Sequence, residues 1–455
     1  MTTNDLFRDF APVSAAEWKL RIQADLKGAD YNEKMTSDTP EGIRIKPFYT
    51  AEDLPDTGAP APALPAGWEP GMYLDAAEGG EPAARGRKAL GGGVTHLVAP
   101  IREASGWLEA TGAEPGSVWL EWPDVRLEPG EVLPGDFASA SPILPDPIGN
   151  LAATGNWAAG RAEDMKRLEA LCRTFPERVS LTVRADLYQQ AGAHAVQQLA
   201  YAVCHMQEYL LATDQHPGLL PALERPVFRI AVGSDYFMEI AKIRALRRLW
   251  HLVANAYGQS GECRVLAMPG LRNKTLYDYN TNLLRSSLEC MAAAVGGADL
   301  ICNQPYDGLY HKPNDFADRI GRNQLLVLRD EAHMARVANP ADGAYYLESL
   351  TDQLGRKALA LLKSLEKGGG LLAQLKSHKI QTKIREADRR EQAAFDSGEL
   401  QLVGSNVFPN PDDRMAGEIQ KELQPGRPVK TLIEPLPLRR LSARQELKRL
   451  RDEAK

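Results

Sequence analysis

The chain has 455 residues, 44% of them hydrophobic and 25% charged, which is the balance of a folded water-exposed protein. A formal net charge of −6 offers no basic footprint for nucleic acid, and no uncharged apolar run approaches the roughly 18 residues of a membrane span. Five scattered cysteines, none in C-x-x-C spacing, exclude a zinc ribbon or a paired disulfide framework and fit a reducing cytoplasm.

The opening MTTNDLFRDF has no basic-then-apolar leader pattern. In SAAEWKLRIQADLKG, Ser14 stands three residues before Glu17 as a capping box, and Gly28 can end the helix. Trp18, Ile22 and Leu26 share one face of that helix. So short a helix must dock, either on its own domain or on a partner chain. EGIRIKPFYT (41–50) reads as the first strand. Pro55 to Pro70 and Pro123 to Pro147 read as surface loops, too rich in proline for helix or sheet.

Short apolar strands follow at THLVAP (95–100), SVWLEW (117–122), VSLTVRAD (179–186), PVFRIAVG (226–233), CRVLAMPG (263–270) and ADLICNQP (298–305). Helices are expected over 193–212, 236–256 and 276–295. Apolar strands alternating with helices imply a parallel sheet covered by helices. Seven strands approach the eight of a TIM barrel, and no glycine-rich first turn marks a doubly wound sheet instead. Beyond Ala344 the chain reads as helical. SHKIQTKIREADRREQAAFDSGE is charged and expected to be largely solvated. At the end, Ser442 and Gln445 make a second capping box before a stripe of Ala443, Leu447, Leu450 and Ala454.

Recognised chemical motifs are incomplete. GLRNKT (270–275) has the Lys-Thr of a P-loop without the glycine before it. His205 is read as a polar-face residue, because its neighbour Cys204 points about 100° away around the helix and cannot share a metal with it. DQHPG (214–218) approaches the Asp-x-His-x-x-Gly of base-off cobalamin domains, but Leu219 holds the glycine's place, so a helix-terminating loop is expected at His216. Asp330 and Glu331, beside Arg329 and His333, read as a solvated helix face. In VSLTVRADLYQQAGAH the residues just past the strand are Asp186, Leu187 and Tyr188, where a barrel puts its chemistry.

Several ordered segments resemble the methylmalonyl-CoA mutase family. They are QQAGAHAVQQLAYAV (189–203), YFMEIAKIRALRRLW (236–250), NKTLYDYNTNLLRSSLECMAAAVGGAD (273–299), DFADRIGRNQLLVLRDEAHMARVANPADGAYYLESLTDQL (315–354) and AAFDSGELQLVGSNVF (393–408). The resemblance implies a TIM barrel whose axis takes acyl-CoA, and a radical isomerisation of methylmalonyl-CoA and succinyl-CoA driven by adenosylcobalamin. Three departures qualify it. Leu187 stands where catalytic chains carry a histidine that polarises the thioester carbonyl, and leucine donates no hydrogen bond. MTSDTPEGIRIKPFYT replaces the tyrosine-bearing segment of catalytic chains. A flavodoxin-like cobalamin domain is not expected before Lys455.

The expectation is therefore an α/β TIM (β/α)8 barrel over 41–408, an N-terminal helical arm over 1–40 for subunit association, and a linker with an amphipathic helix over 409–455. The resemblance is to the small, non-catalytic subunit type. It implies no catalytic, cofactor-binding or metal residue on this chain, with adenosylcobalamin held by a large catalytic partner in a cytoplasmic heterodimer. Acyl-CoA is then met only through the complex, and Trp18, Ile22 and Leu26 are the candidate partner contacts. The alternative is a catalytic barrel that uses a cobalamin domain on a separate chain.

Overall fold

The computed structural model describes residues 9, 11, 13–54, 67–75, 81–101, 107–122, 125–126, 140–423 and 430–453. Eight parallel strands form one sheet: β1 Glu69–Tyr73, β2 His96–Pro100, β3 Val118–Trp122, β4 Ile143–Pro145, β5 Thr182–Arg184, β6 Val227–Val232, β7 Arg264–Pro269 and β8 Leu300–Asn303. Their order is β4-β3-β2-β1-β8-β7-β6-β5. A parallel bridge from Ile143 to Val179, just ahead of β5, joins the two ends and closes the barrel. This is the expected TIM barrel.

Two strands were not among those expected, and one expected strand lies elsewhere. Arg44–Ile45 pairs antiparallel with Ser37–Asp38 in a two-residue ladder outside the barrel. The missing strands, β1 (EPGMY) and β4 (ILP), lie at the ends of the two proline-rich stretches that read as loops. Pro70 brings no N–H to the ladder, but its carbonyl accepts from Thr95 N at 3.0 Å. Gly71 is required by space: a Cβ there would lie 2.5 Å from Cys302 Sγ and 2.8 Å from Leu300 Cδ1.

The helices, in chain order, are α1 Ala15–Asp25, α2 Tyr31–Met35, α3 Pro82–Gly91, α4 Pro147–Thr154, α5 Arg161–Thr174, α6 Asp186–Gln190, α7 Ala195–Ala212, α8 Tyr236–Ala256, α9 Thr281–Gly296, α10 Asp315–Leu326, α11 Tyr345–Lys367, α12 Gly370–Lys376, α13 Lys379–Ser397 and α14 Ala443–Glu453. In α8 the stripe Ile240, Ile243, Leu246, Trp250 and Val253 is buried as its spacing requires. α13 is less solvated than its charge implies, for Ile380, Ile384, Ala387 and Phe395 turn inward. None of the described helices is long and apolar enough to cross a membrane.

Strand residues sort by parity into two separate clusters. Leu97, Leu120, Phe228, Val265 and Ile301 join the large core beneath the helices. Their alternates Val98, Trp119, Leu144, Val227, Leu266, Met268, Leu300 and Cys302 pack on one another inside the barrel. All eight are buried, so side chains fill that part of the axis.

Candidate functional site at the barrel mouth

Two interior positions of the apolar strands carry charge. In VFRIAV, Arg229 shares the parity of Val227; in VWLEW, Glu121 shares that of Trp119. They meet inside the barrel, Arg229 Nη1 donating to Glu121 Oε1 at 2.5 Å. Arg229 Nη2 donates to Asp186 Oδ2 at 3.0 Å, and Tyr73 OH to Glu121 Oε2 at 2.8 Å. The guanidinium lies 5.3 Å from the centre of the Tyr73 ring. Burial pushes the Glu121 carboxyl up, but the charges of Arg229 and Arg184 and the bonds from Arg229 and Tyr73 more than offset this and hold it below its usual range. Burial likewise disfavours the Arg229 cation, but Asp186 and Glu121 keep it protonated, well above its usual value. Burial first, then the charge of Glu121, push the Tyr73 phenol well above its usual value. The result is a closed ionic layer across the axis.

The turn after β5 shows what each of its residues does. Asp186 turns back to Arg229. Leu187 is half-buried and packs against the main core, with no polar function at the mouth. Tyr188 is buried and meets His205 Nδ1 at 3.1 Å. His205 Nε2 lies 3.0 Å from Asp146 Oδ1, which also accepts from Tyr209 OH at 2.8 Å. His205 is therefore not a polar-face residue. It is fully buried on the inner face of α7, where the Asp146 carboxylate and the Tyr188 hydroxyl satisfy its two ring nitrogens. The Gln189 amide packs close on Gly270, where a Cβ would lie 2.8 Å from its nitrogen.

The C-terminal segment crosses the same face. Arg439 N donates to Gln190 O, and Leu441 N to Arg272 O, so the strap joins the turns after β5 and β7. Arg272 is its keystone, donating to Asp388 at 2.6 Å, Glu391 at 2.6 Å and the Arg439 carbonyl at 2.8 Å. The strap runs on into α14, whose buried residue is Glu446 and not the expected alanine–leucine stripe. Ala443, Leu447 and Leu450 are half-buried, and Ala454 lies outside the described residues. Glu446 accepts from Ser442 Oγ and Leu276 N, each at 2.8 Å, and so ties the start of α14 to the segment after β7.

Of the other sequence motifs, only GLRNKT lies at the mouth end, in the turn after β7. His216 sits in the turn after α7, where the chain returns to the start of β6, the opposite end of the barrel. Its Nδ1 is 3.0 Å from Glu169. Lys274 of the partial P-loop is buried against Glu289, with Nζ to oxygen distances of 2.8 and 2.7 Å. Asp330 and Glu331 are exposed, Asp330 paired with Arg329 at 2.8 Å. Trp18 is 49% exposed and stacks on Phe48 at 4.2 Å, while Ile22 and Leu26 are half-buried. α1 has the expected capping box yet contributes no buried residue.

These residues do not fit adenosylcobalamin. The histidine of the near-motif is at the wrong end of the barrel and bound to Glu169, and the chain's own strap lies over the β5–β7 side of the mouth.

A profile of the methylmalonyl-CoA mutase family matches residues 141–431, more than half of the sequence. The chain belongs to this family. It is 30% identical to the methylmalonyl-CoA mutase small subunit of Porphyromonas gingivalis over 441 residues, covering 89% of this chain and 71% of that one. It is 32% identical over 465 residues to the methylmalonyl-CoA mutase small subunit of Streptomyces virginiae, covering 93% and 74%. The methylmalonyl-CoA mutase of Cereibacter sphaeroides is 33% identical over 253 residues, covering 53% of this chain and 35% of its own length. Mutases of this family are cobalamin-dependent isomerases. Leu187 is marked out by the sequence of this mutase fold; Arg229 and Glu121 are not among the expected site residues, although a charged residue at interior parity in an apolar strand is a visible signal.

Proposed function

We propose that this chain is the small, non-catalytic subunit of a heterodimeric methylmalonyl-CoA mutase. In this reading a large chain binds adenosylcobalamin and acyl-CoA and interconverts methylmalonyl-CoA and succinyl-CoA. The small chain supports it from a cytoplasmic heterodimer and is inactive alone. The observation that carries the reading is the closed layer of Arg229, Glu121, Asp186 and Tyr73 across the axis. An acyl-CoA mutase needs that axis open to bring its thioester to the mouth. Leu187 adds to this, since leucine cannot donate to a carbonyl. All five cysteines are free and buried, which accords with a reducing compartment.

The arm is the proposed subunit contact. A helix of about a dozen residues is marginal in water without packing, and among the described residues α1 buries none of its own, meeting its chain through the Trp18–Phe48 stack, the bond from Ala15 N to Glu52 and Lys19 over the Tyr31 ring. Trp18, Ile22 and Leu26 would complete their burial on the large chain.

Purified alone, the chain should show no cobalamin absorbance change on titration with adenosylcobalamin and no succinyl-CoA production. Mixed with the large chain it should co-elute as a one-to-one complex. Turnover by the isolated chain, or turnover after adding only a free cobalamin-binding domain, would overturn the proposal.

A further inference from the structure

Helices on the outside of the molecule turn charge to solvent. α11 exposes Arg356, Lys363 and Glu366, and α13 exposes Lys383, Arg389 and Arg390. α9 does not follow them. Its outward positions are Leu284, Leu288, Met291 and Val295, at the three- and four-residue steps of one face. Leu284 is 69% exposed and Leu288 54%, while Met291 and Val295 are half-buried. The two charges of α9 are turned away. Glu289 is buried on Lys274, and Arg285 donates to Thr275 Oγ1 at 3.0 Å, Asn282 Oδ1 at 2.8 Å and Val403 O at 2.5 Å.

The neighbouring α10 repeats the pattern. Phe316 (62% exposed), Ile320, Asn323 and Val327 (45%) share one face, Val327 standing in the turn that extends the helix. The charges of α10 lie toward α3: Asp315 meets Lys88 at 2.5 Å, Asp318 is buried on Arg85 at 2.7 Å, and Arg322 donates to Lys88 O at 3.3 Å. Arg319 is exposed on that same side, between Asp315 and Arg322.

Gln324 joins the two stripes into one surface. Its Nε2 donates to Leu283 O at 2.6 Å, Ser287 Oγ at 2.7 Å and Ser286 Oγ at 3.0 Å. In this register Leu284, Leu288 and Val327 flank the seam, with Phe316 and Ile320 to one side along the helices and Met291 and Val295 to the other. At 1.5 Å per residue the strip is roughly 28 Å long. At a width of about one and a half helices it covers roughly 400 Å², more than a monomer usually leaves uncovered outside a binding site. It is also close to the apolar share of the ~800 Å² that one partner gives to a standard interface.

Shape and charge select the occupant. A small molecule needs a concave pocket, and two neighbouring helices present a convex face. The exposed charges around the strip, Lys312 and Arg319 against Asp315 and Glu331, alternate in sign and give no basic field for an anionic membrane. An uncharged centre inside a rim of both signs, with the area of one interface, suits another protein's helical face. We propose that the α9–α10 strip packs on outer helices of the large mutase chain. The proposal rests on the small-subunit reading, in which that chain is a barrel of the same family and is ringed by helices of the same kind. It adds a contact surface separate in sequence from the arm.

The test uses the full chain and the purified large chain. Leu284→Lys combined with Leu288→Lys should raise the dissociation constant at least about 30-fold and leave the melting temperature of the isolated chain unchanged, since both side chains are exposed there. A second readout needs no loss of binding. All five native cysteines are buried, so Leu288→Cys supplies an accessible thiol. Iodoacetamide should alkylate it readily in the isolated chain and slowly once the large chain is added. Normal binding by the double-lysine variant, or equal alkylation with and without the large chain, overturns this inference and leaves the small-subunit reading standing. So does a self-associated isolated chain in which the position 288 thiol is already protected, because a second copy then covers the strip. If the wild-type chains form no complex, the small-subunit reading falls and this inference falls with it.

Discussion

Arg229 of β6 and Glu121 of β3 meet inside the barrel at 2.5 Å. The pair does not stand alone. Asp186 takes the other arm of the guanidinium and Tyr73 the other carboxylate oxygen, so one cation is set between two carboxylates and the layer draws on four elements. A buried charge is tolerable only when it is paired and hydrogen-bonded in this way.

Arg229→Met should therefore destabilise the chain by about 3–5 kcal/mol in chemical denaturation, since it strands two buried carboxylates. The pH dependence identifies the cause. In the wild type the depressed Glu121 carboxyl contributes stability above about pH 4.3, its unfolded value, and that stability is lost as pH falls through the folded value. Without the arginine, burial raises the carboxyl instead, so the variant's deficit should shrink as pH falls from 7 toward 5. A deficit that stays constant with pH would mean that lost packing, not stranded charge, sets the cost.

Leu187→His should not create mutase activity. A positioned donor is worth about 3–4 kcal/mol only where a transition state forms beside it. Here Leu187 packs against the core and Asp186 is already spent on Arg229. Succinyl-CoA production by the variant chain alone, measured by chromatography, would refute the argument.

Much of the barrel was legible because buried parallel strands announce themselves as short apolar runs. β2, β3, β5, β6, β7 and β8 fall within the expected segments, and α8 coincides with its expected span. β1 and β4 were hidden for one shared reason. Each is short and abuts proline-rich sequence, so local propensity argued against them and only the tertiary pairing of Gly71 with Cys302 and Ile143 with Leu120 reveals them. His205 was misjudged because α7 is buried on nearly every face. A helix apolar all round gives no moment from which to tell inside from outside. The strap was illegible too, since Arg439 and Gln190 meet through backbone atoms that carry no residue-type signal.

Gly71→Ala tests the hidden strand. The added methyl meets Cys302 Sγ and Leu300 in a filled interior, and overpacking typically costs about 1–3 kcal/mol. Cys302→Ala should recover part of that loss, so the two substitutions should be non-additive in a double-mutant cycle. Strict additivity in urea denaturation would place the Gly71 backbone away from the β8 side chains.

Asp146→Asn probes the buried Tyr188–His205–Asp146–Tyr209 group. Burial pushes the Asp146 carboxyl up, but the His205 ring and the backbone bonds from Arg184 and Gly149 more than offset this and hold it below its usual range. Its contribution is present above about pH 3.9 and disappears as pH falls through the lower folded value. The variant should lose about 1–3 kcal/mol at pH 7 and approach the wild type in strong acid. An equal loss at pH 7 and pH 3 would show that the carboxylate charge is not what the network needs.

Trp18→Ala addresses the arm. On this chain Trp18 is half-exposed and rests on Phe48, in a helix that buries none of its residues. Removing the indole should therefore cost the isolated chain little, and its melting temperature should stay nearly unchanged. Tryptophan in a contact centre is commonly worth ~2 kcal/mol or more, so the dissociation constant of the complex with the large chain should rise at least about 30-fold. Ile22→Ala and Leu26→Ala, from the same face, should weaken association in the same direction by less, having less area to lose. The measurement is a melting curve and a binding isotherm for each variant. A Trp18→Ala chain that melts several degrees early but associates normally would place the arm's working contact on its own barrel, through Phe48, and remove it from the subunit interface.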